Sequence, residues 1–290
     1  MGEEKVSIVM SCYNSSNTIE RAMMSVLNNT YKNIELVVVD DCSTDNSVDI
    51  ILKIQANDNR VKLVTHNENL GAGVARKDGI ENSAGDYVGF CDSDDTLLEN
   101  HIELLINAAV KYDADIVTSG YTVLNNDIKE ERKTDRIVIL EKQAKFAVLK
   151  EDVLRFLNPS IVRKSLWSKV TYSTRRYTED SPTLIKLLWY ADRRVVLPES
   201  TYVYYQNNQS LTHTASNFKE VLFNTLCAID TYKFFREVLT DSGFFPSNVL
   251  IARLGNFLNS VPTTQERLSY YNEIQEIKQF VNKYYEEAFE

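Results

Sequence analysis

The chain contains little of what several classes of protein require. It has 290 residues, of which only 3 are His and 4 are Cys, and its formal net charge is -9. No apolar run approaches the roughly 18 residues that are needed to span a bilayer. No stretch holds the clustered Lys and Arg that a nucleic-acid backbone attracts. We therefore expect neither a transmembrane segment nor a nucleic-acid partner.

The four cysteines indicate free thiols rather than a disulfide framework or a zinc site. Cys12, Cys42, Cys91 and Cys227 show no C-x-x-C spacing, and the few histidines give zinc no nearby ligands. The charged segment 1–5 leads straight into an apolar strand, so we expect no signal peptide. Together these features predict a protein of the reducing cytoplasm.

The first 120 residues alternate between apolar strands and amphipathic helices. Helices are predicted between the strands, among them Gly73–Asn82 and Leu97–Val110. Short loops and this alternation predict an α/β fold, with a doubly wound, mostly parallel sheet and right-handed crossovers. The predicted strands are Val6–Met10, Ile34–Val39, Val61–Val64, Tyr87–Phe90 and a fifth that begins at Ile116.

The pattern changes after Tyr121. Polar residues 125–136 predict an exposed hairpin or loop, and residues 146–157 predict a helix. Two strands are predicted over 194–197 and 201–205, and helical periodicity runs from about Phe218 to the end. We expect one domain over 1–214 and a helical extension over 215–290. The extension is a candidate for docking a partner, forming a homodimer or touching the inner face of the membrane, although its many acids disfavour anionic lipid.

Three carboxylates follow the fourth predicted strand. Asp92, Asp94 and Asp95 lie within four positions, and such a concentration of negative charge is costly without a cation. Alternation places Asp92 and Asp94 on the same side of an extended backbone, where both could meet one divalent ion. The carboxyl ends of parallel strands are where α/β sheets bind ligands. The D-x-D pattern therefore predicts a metal that holds a phosphate-bearing substrate.

Polar residues also follow the first two strands. Residues 11–14 include Tyr13, whose ring can stack on a nucleobase, and residues 40–43 include Asp41, which can accept a base or ribose donor. The alternative is that Asp40 and Asp41 only cap a turn. Further on, Gly71 and Gly73 precede a helix start with free N–H groups, and Arg76 could face a phosphate there. The segment is neither a dinucleotide fingerprint nor a P-loop.

Two later segments offer further candidates. Glu179 and Asp180 precede Pro182 at a predicted helix start, where the acids either cap the helix or supply a general base. His213 follows an apolar strand within a polar loop. It is a candidate metal ligand or phosphate contact, and the alternative is a merely exposed side chain.

Taken in order, these motifs resemble the GT-A family 2 glycosyltransferases. The resemblance is strong over residues 5–120, moderate to about 214 and absent from the tail. It implies an inverting glycosyltransferase of the EC 2.4 class that moves a sugar from a nucleotide-diphosphate donor to a hydroxyl of a glycan or lipid-linked saccharide. It further implies a divalent metal, Mn²⁺ or Mg²⁺, and a UDP-sugar donor by family frequency. Residues 1–120 would form the donor half and 121–214 the acceptor half.

The resemblance also assigns roles to residues by their position in the motifs. Asp180 would be the catalytic base, and Arg76 would stand near the base or diphosphate of the donor. Asp78 departs from the Asn that the family often has after Ala-Arg, which we expect to affect helix capping more than chemistry. The nucleoside pocket would be lined by Ser11, Tyr13 and Asp41. Ribose and metal would be contacted by Asp92 and Asp94, with Asp94 the preferred metal ligand and Asp95 a close competitor. Beside these roles, we expect Ser93 to contact the donor and His213 to be a metal ligand.

Two other functions remain open on the sequence. A sugar-phosphate nucleotidyltransferase would need a Gly-rich first loop bearing Lys or Arg, and residues 11–14 lack one. A catalytically inactive scaffold that binds nucleotide-sugars would not need Asp92, Asp94 and Asp180, all of which are present.

Overall fold

A computed structural model describes residues 4–125, 128–141, 157–174, 180–206 and 217–238, and in the C-terminal part residues 253–254, 256–257, 260 and 263–289. The chain divides into two compact units, residues 1–206 and 207–290. Residues 146–156 of the predicted helix, Glu179 and His213 lie outside the described residues.

Four parallel strands and their connecting helices form the first part of the larger unit. The strands lie in the order β3-β2-β1-β4, and Val6 of the central strand lies opposite both Ile34 and Tyr87. The alternation expected from the sequence is present, and the predicted fold class is confirmed. The elements are β1 Val6–Cys12, α1 Ile19–Leu27, β2 Ile34–Asp40, α2 Ser47–Gln55, β3 Val61–Thr65, α3 Ala72–Glu81 and β4 Tyr87–Phe90.

The rest of the larger unit extends the sheet to the order β3-β2-β1-β4-β9-β6-β10-β5, with β7 paired to β6 and β8 to β10. Strand β9 is antiparallel to both β4 and β6, so the fifth predicted strand does not pair with the fourth. The expected hairpin is confirmed by the antiparallel pair β6 and β7. The elements are β5 Thr96–Leu97, α4 His101–Tyr112, β6 Ile116–Asn125, β7 Ile128–Arg132, β8 Val138–Glu141, β9 Ser160–Arg163, α5 Lys164–Trp167, α6 Asp180–Tyr190 and β10 Arg193–Tyr205.

Two boundaries differ from the prediction. The helix expected from Leu97 begins at His101, because Thr96 and Leu97 pair with β10 as a short antiparallel strand. Leu97 is therefore buried, whereas Leu98 is 45% exposed. The two strands predicted over 194–197 and 201–205 form one strand, β10, whose register against β6 shifts between Val196 and Tyr202.

The sheet is covered on both faces, as its continuous apolar strands require. Ile8 on β1 packs in a cluster with Met23 and Leu105, whereas Val9 packs on the other face with Phe90 and residues of α5 and α6. Helix α3 lies so close to the sheet that a Cβ on Gly79 would stand 2.3 Å from Val9 Cγ1. This close approach holds the helix that carries Arg76 against the carboxyl ends of the strands.

The smaller unit is helical in its described residues. It contains α7 Asn217–Val238, α8 Thr264–Ser269 and α9 Tyr271–Phe289. Edge-to-face aromatic pairs join these helices, with ring centroids 5.4 Å apart for Tyr232 and Phe280. Within the described part of the chain, no helix combines the length and apolarity that a membrane crossing requires.

Candidate active site

The predicted site residues lie along one edge of the sheet. Cys12 is opposite Asp40, and Asp40 is opposite Thr65, so the carboxyl ends of β1, β2 and β3 are level. Strand β4 runs parallel to β1 and ends at Phe90, directly before the acidic cluster. Tyr13, just beyond β1, is 49% exposed. Its ring is therefore accessible to a ligand at this edge.

Asp41 is buried and is hydrogen-bonded to the segment that precedes α3. Its Oδ1 accepts a hydrogen bond from Leu70 N (2.8 Å), and its Oδ2 accepts one from Gly71 N (2.7 Å). Gly71 has a φ of 92°, which glycine adopts without strain. His66 Nδ1 also lies 2.8 Å from Asp41 Oδ1. The proposed base contact of Asp41 stays a prediction, and in the structure this carboxylate anchors the 66–71 loop.

Arg76 joins the acidic cluster to the predicted base. Its Nη2 donates to Asp92 Oδ1 at 2.6 Å, and its Nη1 donates to Asp180 Oδ1 at 3.3 Å. The Arg76 side chain is only 8% exposed, so the ion pairs form where water screens them weakly. One guanidinium thus brings together residues that are 16 and 104 positions away in the sequence.

Asp180 is the first residue of α6 and has a second partner. Tyr172 OH donates to Asp180 Oδ1 at 2.6 Å. The hydroxyl and Arg76 both hold the same carboxylate oxygen, and neither of these contacts uses Oδ2. The carboxylate is therefore fixed in orientation while retaining acceptor capacity for a substrate hydroxyl.

The three acids of the cluster occupy different environments. Asp92 Oδ2 accepts from Asn158 Nδ2 at 2.8 Å, on the side opposite Arg76. Asp95 is fully buried, and it accepts from Tyr202 OH (2.5 Å) and Tyr205 N (3.0 Å). Burial, together with the charges of Asp92 and Asp94, raises the pKa of Asp95 well above its usual range. Asp95 therefore holds the end of β10 to the cluster.

Asp94 is the acid best placed to meet a cation. Burial and the neighbouring Asp92 carboxylate raise the pKa of Asp94 to about 6. Among the described residues, no side chain donates a hydrogen bond to the Asp94 carboxylate. A divalent ion would relieve the accumulated negative charge, and carboxylate oxygen is the donor that Mg²⁺ and Mn²⁺ prefer.

The described residues do not form a metal cage of their own. No group of three or more His, Cys, Asp or Glu side chains in the described ranges converges in a way that could hold a metal ion. His213, a predicted ligand, lies outside those ranges. An ion at this edge would therefore need a phosphate-bearing ligand to complete its coordination, which is the usual situation for Mg²⁺.

Other contacts support the cluster from its flanks. Ser93 Oγ and Ser15 Oγ are 2.8 Å apart, which links the cluster to the segment after β1. Arg21 Nη2 donates to the main-chain oxygen of Asp94 at 2.6 Å, and its guanidinium lies 3.8 Å from the centre of the Tyr205 ring. Ser11, also predicted in the site, is partly buried at the end of β1.

The structure adds five residues that sequence reasoning did not place in the site. Tyr202 lies within the strand predicted over 201–205, and Tyr172 lies only 8 positions before Asp180. Arg21, His66 and Asn158 reach the site through contacts that span 25 to 73 positions, so they carry no local signal. The five are Arg21, His66, Asn158, Tyr172 and Tyr202.

Asp95 should matter for stability rather than for chemistry. We expect Asp95→Ala to lower the free energy of unfolding by about 1–3 kcal/mol, because it leaves Tyr202 OH and Tyr205 N without their buried acceptor. Urea unfolding followed by circular dichroism measures this. Asp94→Ala is the matched control and should unfold close to wild type. Equal destabilisation of both variants would refute the distinction between the two acids.

A doubly wound sheet with an acidic cluster at its carboxyl edge is the arrangement expected of a GT-A-type glycosyltransferase. The comparison with known families agrees. The profile of glycosyl transferase family 2 matches residues 7–172, and the chain belongs to this family. The resemblance noted in the sequence is thereby confirmed, and the protein is a glycosyltransferase.

Two relatives show how far the similarity extends. The glycosyltransferase GlyG of Streptococcus pneumoniae is 29% identical over 283 residues, which cover 92% of this chain and 90% of GlyG. The Escherichia coli enzyme WfgD, named a UDP-Glc:alpha-D-GlcNAc-diphosphoundecaprenol beta-1,3-glucosyltransferase, is 36% identical over 127 residues. That match covers 44% of this chain and 49% of WfgD. The similarity to GlyG therefore includes the C-terminal helical part.

Solved structures share the fold. TarS residues 1–349 of S. aureus, in complex with UDP-GlcNAc, superpose with a TM-score of 0.71 at 20% identity, covering 95% of this chain and 81% of that one. The mannosyltransferase PcManGT of Pyrobaculum calidifontis, in complex with GDP-Man and Mn²⁺, gives a TM-score of 0.57 at 14% identity, covering 94% and 80%. At these identities the likeness establishes the GT-A architecture.

Proposed function

We propose that this enzyme transfers a sugar, with inversion at the anomeric carbon, from a UDP-sugar to a hydroxyl of a glycan or lipid-linked saccharide. The observation that carries the proposal is the bridge from Asp92 through Arg76 to Asp180. It joins an acid of the donor-binding cluster to a carboxylate that can activate an acceptor. A glycosyl transfer needs both functions within one site.

Asp180 acts as the general base in this scheme. An acceptor hydroxyl is a poor nucleophile, so a carboxylate must remove its proton as the hydroxyl attacks. Tyr172 and Arg76 orient the Asp180 carboxylate and leave Oδ2 for the incoming hydroxyl. Attack from the face opposite the leaving diphosphate is a single displacement, which inverts the anomeric centre.

The acidic cluster would hold the leaving group through a divalent ion. Asp94 and Asp92 would contact a divalent ion, Mn²⁺ or Mg²⁺, bound with the donor diphosphate, with Ser93 alongside. Such an ion stabilises the negative charge that develops on the diphosphate as the sugar bond breaks. Asp95 accepts hydrogen bonds from Tyr202 OH and Tyr205 N, so its proposed role is to stabilise the cluster.

The nucleoside would lie over the carboxyl ends of β1 and β2. Tyr13 offers an exposed ring for stacking, and Ser11 and Asp41 supply polar groups at the same edge. UDP is supported by two similar proteins, since WfgD is named a UDP-Glc glucosyltransferase and TarS was solved in complex with UDP-GlcNAc. WfgD also supports a lipid-linked acceptor, which would bring the reaction to a membrane surface.

The proposed division of labour follows the chain. Residues 1–120 would form the donor half and residues 121–214 the acceptor half of the catalytic domain, with residues 215–290 as a helical extension. The strand ends that carry Tyr13, Asp41 and Asp92 all belong to the first half, whereas Asp180 belongs to the second. The extension is proposed to form a homodimer or to contact the membrane.

Nucleotide preference tests the donor assignment. We expect UDP to bind more tightly than GDP, CDP or dTDP in isothermal titration calorimetry with Mn²⁺ present, because Tyr13 and Asp41 set the base contact. Addition of EDTA should weaken UDP binding, since the ion then no longer bridges the acids and the diphosphate. Tyr13→Ala, as the paired variant, should weaken binding by about 1–3 kcal/mol, the usual value for a base stacked on an aromatic ring. Tightest binding to GDP would overturn the assignment.

A further inference from the structure

His66 lies between two carboxylates at the end of β3. Its Nδ1 is 2.8 Å from Asp41 Oδ1, and its Nε2 is 3.0 Å from Asp78 Oδ2. The side chains of His66 and Asp41 are 7% and 4% exposed, and that of Asp78 is 29% exposed. A histidine with a carboxylate on each ring nitrogen links the β2 strand end directly to helix α3.

This geometry requires a protonated ring. A neutral imidazole has one N–H, so its other nitrogen would point a lone pair at a carboxylate oxygen. The imidazolium donates from both nitrogens and satisfies both partners. Burial lowers the pKa of His66, but hydrogen bonds to Asp41 and Asp78 and their charges outweigh burial and raise that pKa above its usual value.

The remaining charged and titratable groups around the bridge are few in the described structure. Lys77 Nζ lies 4.0 Å from Asp78 Oδ1 and 3.2 Å from Glu81 Oε1, on the solvent side of α3. The Cys42 thiol donates to the main-chain oxygen of Asn67, beside the bridge. Neither Lys77 nor Cys42 stands between the imidazole and its two carboxylates, so His66 is the cation that Asp41 and Asp78 share.

The bridge also fixes the loop that borders the nucleoside pocket. Asp41, held by His66, accepts hydrogen bonds from Leu70 N and Gly71 N. The three contacts leave one acceptor direction on Asp41 Oδ2 for a ligand. Asp78, the departure noted in the sequence, thereby has a specific role, because an Asn at this position would remove one of the two charges that hold the proton on His66.

We infer that His66 is a positioning residue for the donor nucleoside, and that donor affinity falls as His66 loses its proton. The inference rests on the proposed function, which places the nucleoside against Tyr13 and Asp41. The bridge is complete at a pH below the ordinary pKa of histidine. It is lost as the pH rises through the raised pKa of His66. Loss of the proton puts a nitrogen lone pair against one of the two carboxylates, which weakens the bridge that holds Asp41 and the 66–71 loop to α3.

The test is UDP binding to the full chain by calorimetry between pH 5.5 and 9, for wild type, His66→Gln and Asp78→Asn. The UDP phosphate and Asp94 titrate in the same range, so the ratio of wild-type to His66→Gln affinity is the quantity of interest. We expect wild type to bind about tenfold more tightly at the acidic end, the worth of one charge-assisted hydrogen bond, and the ratio to approach one at pH 9. Asp78→Asn should lose its higher UDP affinity, relative to His66→Gln, at a lower pH than wild type does.

The outcome that overturns the inference is a ratio that stays at one, or one that does not change with pH. If His66→Gln fails to fold, the comparison of wild type with Asp78→Asn tests the inference. The Asp78 side chain is partly exposed, and Asn keeps an acceptor for His66, so this variant should fold. Amide hydrogen exchange of Leu70 and Gly71 without ligand supplies an independent measure, and faster exchange in either variant is expected. Wild type that binds none of the four nucleotide diphosphates would refute the proposed function, and amide exchange would still decide whether the bridge holds the loop.

Discussion

Asp180→Asn should reduce sugar transfer by roughly 10²–10⁴-fold, the usual contribution of a positioned general base. The amide keeps the size of the side chain and can still accept from Tyr172, so the site should stay assembled. It cannot take a proton from the acceptor hydroxyl. UDP binding should remain near that of wild type, because Asp180 acts on the acceptor. Steady-state transfer rates and UDP calorimetry on the same preparations measure the two effects.

Glu179→Gln is the matched control for this prediction. The two acids are neighbours in the sequence and carry the same charge. The contacts of Asp180 with Arg76 and Tyr172 favour the second acid of the pair. We therefore expect Glu179→Gln to damage the chemical step less. Transfer at the wild-type rate by Asp180→Asn, with loss in Glu179→Gln, would reverse the two assignments.

Asp94→Ala should abolish nearly all turnover while preserving the fold. The variant loses the carboxylate proposed to hold the ion that stabilises the leaving diphosphate, and losing one such electrostatic contact costs roughly 10²–10³-fold in rate. Assays across a Mn²⁺ titration should show activity only at metal concentrations well above those that saturate wild type. Circular dichroism confirms that the variant is folded.

Asp86→Ala is a suitable control for the loss of an acid near β4. Asp86 precedes the opposite end of the strand, where its carboxylate accepts from Lys5 N at 2.8 Å. We expect this variant to transfer sugar at close to the wild-type rate. Full activity of Asp94→Ala in metal-free buffer would contradict the role given to Asp94.

The donor side of the site follows from local sequence. Each of its strands is an apolar run that ends in polar residues, and parallel strands in short β-α-β connections must bring those ends to one edge. Tyr13, Asp41 and the Asp92–Asp95 cluster could therefore be placed together before the structure was known. The extended backbone assumed for the D-x-D pattern was wrong, because residues 92–95 form a turn in which Asp95 N donates to Asp92 O at 3.1 Å.

The remaining contacts could not be predicted, because they depend on pairing between distant segments. Strand β9 has four residues and inserts between β4 and β6, and it follows β4 by about 70 positions. Its insertion brings Asn158 to Asp92, 66 positions away in the sequence. Likewise, Leu97 pairs with β10 instead of starting a helix, since a partner strand overrides a local helical pattern.

The roles of single acids were also beyond sequence reasoning. Asp94 and Asp95 are adjacent and chemically identical, yet Asp95 is fully buried against Tyr202, and Asp94 is not. His66 gave no signal, because a lone histidine after a strand has many possible environments. Its position between Asp41 and Asp78 becomes visible only when β2, β3 and α3 are assembled.

The most direct test of the central claim is the product formed from a panel of UDP-, GDP-, CDP- and dTDP-sugars with glycan and lipid-linked saccharide acceptors. Mass spectrometry gives the mass of the product, and NMR gives the configuration of the new bond. The proposed mechanism predicts an acceptor heavier by one sugar, formed from a UDP-sugar with the anomeric configuration inverted and absent with Asp180→Asn. A product with retained configuration, or a nucleotide-sugar formed from a nucleoside triphosphate and a sugar phosphate, would contradict it.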